Sequence, residues 1–174
     1  HVHRKRAEPW KITLVDTGDK SMTGGRLLRV SDHIKDEESF CFTYGDGVGD
    51  INISSAIDFH NSHKKLATVT TSYPPGRFGS ITIQDNQVMN FIEKPKGDGA
   101  MVNAGFFILS PKILDYLKDD STVWEKEPLE NLAKDGELMS FKHNGFWQPM
   151  DTLRDKITLD ELWNQNKAPW KSWD

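Results

Sequence analysis

The sequence has little cysteine, since Cys41 is the only one among 174 residues. A single thiol excludes an intramolecular disulfide framework and a zinc site built from several cysteines. The sequence also lacks any apolar run near the roughly 18 residues that a membrane span requires, and no signal peptide opens it. These absences predict a protein of the reducing cytoplasm with no membrane partner.

The sequence also has no excess of basic over acidic residues. Lys and Arg number 22 against 26 Asp and Glu, which gives a formal net charge of −4. Nucleic-acid binders need a basic footprint to displace phosphate counterions, so no nucleic-acid partner is expected. Hydrophobic content of 36% and charged content of 28% are ordinary for a folded domain. The length suits one core, and we predict a single α/β domain over residues 1–174.

Strand and helix signals alternate in the first half of the chain. An apolar run halted by glycine predicts a buried strand at Phe40–Tyr44, with Cys41 in the core. The succession of strand, helix and strand predicts a βαβ unit with parallel pairing and a right-handed crossover. The other elements predicted here are a strand at Trp10–Val15, a loop at Asp16–Gly25, a short helix through Leu27, Val30 and Ile34, a helix capped by Asn52 or Ser54, and a strand at Leu66–Thr71.

The pattern changes after Pro74, where two strands flank the turn signal Asp85-Asn86. This arrangement predicts a β-hairpin rather than a crossover. The elements predicted after Pro74 are hairpin strands at Ser80–Ile83 and Val88–Glu93, a strand at Ala104–Leu109, helices opening at Pro111 and Glu127, a strand at Leu138–His143, and a C-terminal helix behind a capping box of Thr152 and Asp155.

Two aspartates are candidate metal ligands. Asp46 leaves a predicted strand between two glycines, and active sites of open α/β sheets gather at such strand ends. Asp151 directly precedes the C-terminal helix. Carboxylates from two distant segments would suit a Mg²⁺ ion that keeps waters and phosphate oxygens as its other ligands. The alternatives are an ordinary Gly-Asp-Gly turn at Asp46 and routine helix capping at Asp151.

Two further segments carry charge next to a special backbone. Lys94 lies between Glu93 and Pro95, where a lysine is either a solvated edge charge or a phosphate clamp. Thr23-Gly24-Gly25-Arg26 enters a helix, and helix amides beside an arginine make an anion site. Neither a Walker motif nor a GxGxxG fingerprint is present. His60 and His63 lie at i and i+3 of a predicted helix, but a zinc site would need two more ligands, and a helix surface is predicted for them.

Taken in order, these segments resemble the sugar-1-phosphate nucleotidylyltransferase family over essentially the whole chain. Two segments, PPGRFG and GFWQPMDT, are specific to the branch that transfers a cytidylyl group. The resemblance rests on AEPWKITLVDTG (Ala7–Gly18), MTGGRL (Met22–Leu27), FTYGDGVGD (Phe42–Asp50), PPGRFG (Pro74–Gly79), EKPKGDGAMVNAGFF (Glu93–Phe107) and GFWQPMDTLRD (Gly145–Asp155).

The resemblance implies a Rossmann-like mixed sheet flanked by helices, with a β-hairpin and a helical C-terminal part. It also implies roles for individual residues. These are Asp46 and Asp151 as Mg²⁺ ligands, Glu93 and Lys94 on the glucose hydroxyls and sugar phosphate, Asn103 as a further sugar contact, and Thr23, Gly24 and Arg26 against the nucleotide, with Arg77 as a supporting basic residue.

The implied reaction is attack by an oxygen of glucose 1-phosphate on the α-phosphorus of CTP, which releases pyrophosphate and forms CDP-glucose. It needs no protein nucleophile, and the sequence shows no Ser/His/Asp or Cys/His constellation. Asp46, Lys94 and Asp151 are the expected catalytic set, acting through positioning and charge neutralisation. Family membership further implies a homo-oligomer that supplies CDP-sugars for dideoxyhexoses of cell-surface polysaccharide such as O-antigen.

The sequence departs from the family at its beginning. Family members open with a GGxGTRL loop and a lysine-bearing KPK or KPM segment, which bind the triphosphate, and neither is found here. We therefore expect residues 1–174 to correspond to the C-terminal two-thirds of the enzyme, with an incomplete nucleotide site and impaired activity. One alternative is a phosphohydrolase that uses Asp46 and Asp151 to activate water. The other is an inactive sugar-phosphate-binding or assembly module, with Trp170 and Trp173 on an oligomer surface.

Overall fold

A computed structural model describes residues 10–76, 80–92 and 100–173. Twelve helices and strands are named in chain order within these ranges. They are α1 (Thr23–Arg29), β1 (Phe40–Thr43), β2 (Gly47–Gly49), α2 (Ile53–His63), β3 (Ala67–Ser72), β4 (Ser80–Gln84), β5 (Gln87–Ile92), β6 (Val102–Leu109), α3 (Glu127–Lys134), β7 (Leu138–His143), β8 (Trp147–Pro149) and α4 (Leu153–Asn164), with 3₁₀ turns at Ser31–His33 and Pro111–Tyr116.

A four-stranded sheet in the order β1-β6-β3-β7 carries the main core. Side chains alternate across β3, so that Ala67 and Val69 face one layer and Thr68 and Thr70 the other. The first layer holds α1, α3 and the turn at Pro111–Tyr116. Its apolar cluster consists of Leu27, Ala67, Val69, Phe107, Leu109, Ile113, Leu117, Trp124 and Leu132. The mixed α/β fold with helices beside the sheet agrees with the expectation from the sequence.

The sequence predicted that the strands now labelled β1 and β3 pair with each other in parallel, and this prediction is wrong. β6 lies between β1 and β3 and is antiparallel to both, so these two strands run in the same direction without touching. The one parallel pair among the described strands joins β3 to β7. β6, which lies far along the chain, takes the place next to β1 that the predicted βαβ unit gives to β3. β6 is an apolar strand, and in this position it pairs with a strand on each side.

Two more expectations in the N-terminal half are wrong. Residues 10–15 form no strand, and Trp10, Ile12 and Leu14 are largely exposed. Alternation alone cannot make a strand when no neighbouring strand pairs with it. Cys41 is exposed rather than in the core, because alternate side chains of β1 face opposite ways and Phe40 and Phe42 are the ones that pack against the core cluster. The helix predicted to extend through Ile34 ends at Arg29 and continues as a 3₁₀ turn.

Predictions that depend on local chemistry are confirmed. Asp85 and Asn86 both have positive φ in the tight turn between β4 and β5, as the hairpin signal requires. Asn52 caps α2 by accepting a hydrogen bond from the Ser55 amide. Thr152 and Asp155 form a reciprocal capping box at α4.

Within the described part of the chain, none of the helices combines the length and apolar character that crossing a membrane requires.

His60 and His63 do not lie on an exposed helix surface. The Thr68 hydroxyl bridges them, at 2.9 Å from His60 Nδ1 and 2.8 Å from His63 Nε2, between α2 and β3. Burial lowers the pKa of His60 and of His63, and the Lys65 ammonium adds to the effect at His63. The two imidazoles are therefore packing groups that favour their neutral form.

This histidine pair predicts a loss of stability in mild acid. The unfolded chain takes up protons at the imidazoles near pH 6.5, whereas the folded state resists them until lower pH. The free energy of unfolding should be at its full value above about pH 7 and fall as the pH drops through about 6.5. Urea unfolding at pH 7.5 and 5.5 measures the difference, which should shrink in His63→Gln. Equal stability at both pH values would contradict the prediction.

Candidate active site

A cleft of about 490 Å³ opens beside the end of β1. Three residues singled out from the sequence, Thr23, Arg26 and Asp46, line it together. Its floor is apolar and its rim is polar. The complete lining is Thr17, Thr23, Arg26, Leu27, Val30, Phe42, Thr43, Tyr44, Gly45, Asp46 and Glu125.

The two candidate metal ligands lie at one end of a two-stranded ribbon formed by β2 and β8. Gly47 pairs with Pro149, and the Met150 amide donates to the Asp46 carbonyl at 2.8 Å. Asp46 and Asp151 therefore emerge from neighbouring strands, although 105 positions separate them in the sequence. Trp147 Nε1 donates to the Ala104 carbonyl of β6 at 3.0 Å, which fastens the ribbon to the main sheet.

The residues present fit a Mg²⁺ ion that is only partly coordinated by protein. Asp46 and Asp151 are exposed carboxylates, which are the hard oxygen donors that this ion prefers. Asp155 has a structural task instead, because it accepts hydrogen bonds from Gln148 and Thr152. In residues 10–76, 80–92 and 100–173, no cluster of three or more His, Cys, Asp or Glu side chains is placed to hold a metal. The site built from Asp46 and Asp151 stays a prediction.

The start of α1 is a packing contact, and its amides are already engaged. The Gly24 and Gly25 amides donate to the Thr122 carbonyl at 2.9 and 3.2 Å. A Cβ on Gly25 would meet Asp120 backbone atoms at 2.4 to 2.7 Å. The glycines are thus explained by the close approach of the 120–122 segment. The interpretation of these amides as an anion site is not supported, because their donors are occupied.

Thr23 and Arg26 offer side chains rather than amides to the cleft. Thr23 Oγ1 donates to Glu125 Oε2 at 2.7 Å and accepts from the Trp124 amide at 2.9 Å. Arg26 Nη1 donates to Thr17 Oγ1 at 2.8 Å. Because the Thr17 hydroxyl is neutral, this bond does not neutralise the positive charge of the guanidinium. A guanidinium of this kind suits contact with phosphate.

Asn103 lies on β6 and connects to the cleft through Tyr44. Its Oδ1 accepts from the Gly105 amide at 2.8 Å, and its Nδ2 donates to the Tyr44 hydroxyl at 3.2 Å. Gly105 has a φ of +78°, and a Cβ there would lie 2.6 Å from the Tyr44 ring. Asn103 is therefore held in place by a backbone turn that favours glycine.

The sequence did not single out Tyr44 and Glu125. Burial raises the pKa of the Tyr44 phenol, and the nearby Glu125 carboxylate raises it further. Tyr44 directly precedes the Gly-Asp-Gly segment, and this position is a signal that could have drawn attention to it. Glu125 gives no such signal, because its segment meets α1 only in the folded chain.

The remaining predicted residues lie outside the described ranges. These are Glu93, Lys94 and Arg77, and their roles stay predictions.

Comparison with known proteins places the chain in a clear context. Residues 10–160 match the model of the family described as nucleotidyl transferase. The chain is 62% identical over 99% of its length to glucose-1-phosphate cytidylyltransferase of Salmonella typhi, and it spans 67% of that protein. It is 46% identical to a probable glucose-1-phosphate cytidylyltransferase of Bacillus subtilis, over 95% of the chain and 65% of that protein.

A solved structure extends the likeness to the fold. UDP-glucose pyrophosphorylase in complex with UDP-glucose superposes with a TM-score of 0.62 at 14% identity, covering 87% of this chain and 65% of that one. At this identity the likeness concerns the fold alone.

Proposed function

Since the chain belongs to the nucleotidyl transferase family, we propose that it transfers the cytidylyl group of CTP to α-D-glucose 1-phosphate, giving CDP-glucose and pyrophosphate. The observation that carries this proposal is the 62% identity over 99% of the chain to a protein of that name. The Bacillus subtilis relative, at 46% identity, is described as a probable glucose-1-phosphate cytidylyltransferase. An inactive fragment or assembly module is not favoured by these relatives.

The residues singled out from the sequence have the following tasks in this reaction. Asp46 and Asp151 would hold Mg²⁺, which neutralises phosphate charge when bound. Arg26 would attract the nucleotide phosphates, with Thr23 and Gly24 beside the nucleotide. Glu93, Lys94 and Asn103 would hold the sugar phosphate, which fixes its attacking oxygen. The protein thus contributes orientation and electrostatics, and the substrate supplies the nucleophile.

We also propose a homo-oligomer that works in the cytoplasm, where its substrates are made, and that supplies CDP-glucose for sugars of cell-surface polysaccharide. The hairpin supports the oligomer. Its β4 and β5 expose Ile81, Ile83 and Phe91 by 50 to 64%, and exposed apolar surface of this kind favours association.

A product assay tests the activity. The purified chain, incubated with CTP, glucose 1-phosphate and Mg²⁺, should form CDP-glucose and pyrophosphate in equal amounts, with CTP preferred over UTP. Omission of glucose 1-phosphate serves as the control and should abolish pyrophosphate release. Orthophosphate release from glucose 1-phosphate without CTP would indicate a phosphohydrolase instead. Binding of glucose 1-phosphate with no turnover would indicate a binding module.

A further inference from the structure

Glu125 is an acidic side chain in a cleft for anionic substrates, and none of the tasks above uses it. It follows the buried Trp124 and precedes α3, and its carboxylate lines the cleft opposite β1. A negative charge beside a triphosphate or a sugar phosphate is repulsive unless it meets a cation or a neutral hydrogen-bond donor. Its position therefore requires an explanation.

Glu125 shares the cleft with Asp46, which the proposed function already assigns to Mg²⁺. The side chains that surround it in the cleft are hydroxyl or apolar groups, apart from Arg26 and Asp46. No cluster of three or more metal-binding side chains includes it in the described ranges. The partner that suits this carboxylate is accordingly a neutral donor.

The Thr23 hydroxyl holds the carboxylate in place. Thr23 Oγ1, on α1, donates to Glu125 Oε2 at 2.7 Å, and Tyr44, at the end of β1, lines the same cleft. A carboxylate accepts about four hydrogen bonds, so one protein donor leaves capacity for substrate. Because this donor comes from the protein, the orientation is set before a ligand arrives.

Glu125 lines the cleft with residues that belong to both halves of the predicted substrate site. Thr23, a predicted nucleotide contact, donates to Glu125. Tyr44, which accepts a hydrogen bond from the predicted sugar contact Asn103, lines the same cleft. The apolar floor of Leu27, Val30 and Phe42 suits the flat face of a base or the less polar face of a pyranose.

We propose that Glu125 is a specificity-determining residue that accepts a hydrogen bond from a neutral donor of the substrate. Two groups of the proposed substrates offer this chemistry: the exocyclic amine of cytosine and a hydroxyl of glucose. The inference rests on the proposed function. Glu125 is exposed to the cleft. An acceptor that the protein orients toward one donor of the substrate discriminates against ligands that lack this donor.

Equilibrium binding of each substrate to the Glu125→Gln variant tests this role. Calorimetric titration with CTP–Mg²⁺ and, separately, with glucose 1-phosphate should show a Kd raised about 10-fold or more for one ligand and little changed for the other. If the base is the donor, CTP binding weakens and the preference for CTP over UTP is lost, because glutamine can donate to the uracil carbonyl. If the sugar is the donor, the weakening is confined to glucose 1-phosphate.

Two further variants make the result specific. Glu130→Gln is the same chemical change at an exposed position of α3 outside the cleft lining and should leave both Kd values unchanged. Glu125→Asp keeps the charge but withdraws it by one methylene, and an intermediate Kd is expected. Unchanged binding of both ligands by Glu125→Gln, with binding by the wild type intact, would overturn the role of Glu125 alone. Failure of the wild type to bind either ligand would overturn the proposed function itself.

Discussion

Replacing Asp46 by Asn is expected to lower kcat/KM for CDP-glucose formation by about 10²- to 10³-fold, with little change in thermal stability. The amide keeps the size of the side chain but removes the charge that would hold Mg²⁺. Asp46 is exposed, and its backbone carbonyl, not its carboxylate, takes the hydrogen bond from Met150. The ribbon of β2 and β8 should therefore remain intact in this variant. Steady-state kinetics across a Mg²⁺ series measure the effect.

The control for this prediction is Asp58→Asn, which makes the same change on the exposed face of α2. Its kinetics and its Mg²⁺ dependence should match those of the wild type. Asp151→Asn should resemble Asp46→Asn, because the two carboxylates would hold one ion in the proposed site. If Asp46→Asn retained full activity at limiting Mg²⁺, the two-aspartate site would be wrong.

Gly25→Ala should destabilise the fold by about 3 kcal/mol and weaken substrate binding at the same time. The added methyl would lie 2.4 Å from the Asp120 carbonyl oxygen and 2.6 Å from its Cα, and backbone atoms cannot move aside as a flexible side chain can. α1 must therefore shift away from the 120–122 segment. Thr23 and Arg26 lie on that helix, so the wall of the cleft shifts with it. Urea unfolding and titration with CTP–Mg²⁺ give the two readouts.

Gly45→Ala is the matched control for stability. A Cβ at Gly45 has no atom within 4 Å, and its φ lies outside the left-handed region. Its free energy of unfolding should stay within about 0.5 kcal/mol of the wild type. Equal stabilities of Gly25→Ala and Gly45→Ala would show that the contact between α1 and the 120–122 segment is not tight.

The parts of the fold that the sequence predicted correctly are those set by neighbouring residues. The hairpin turn follows from Asp85 and Asn86, two residue types that tolerate positive φ. The capping box follows from Thr152 and Asp155, whose side chains satisfy backbone amides of their own helix. Residues 104–109 of the strand β6 are mostly buried, and they were recognisable because almost every side chain among them is apolar. For the turn and the cap, the energy that decides the structure is gained within a few residues.

Asp46 and Asp151 were recognisable in the sequence as single candidates, but nothing in their spacing shows that they meet. Their proximity depends on the pairing of β2 with β8. The bond between Thr23 and Glu125, 102 positions apart, is likewise absent from any local pattern. The occupied amides of Gly24 and Gly25 also depend on a distant carbonyl.

The sequence by itself determined the local turns and caps, the acidic residue types at the ends of strands, and the family to which the chain belongs. Only the tertiary structure decided that β6 separates β1 from β3, that residues 10–15 form no strand, and that Tyr44 and Glu125 meet in the cleft. The physical reason is that strand pairing and cleft formation join segments far apart in the chain. Their free energy comes from burying the whole core at once, which no local pattern records.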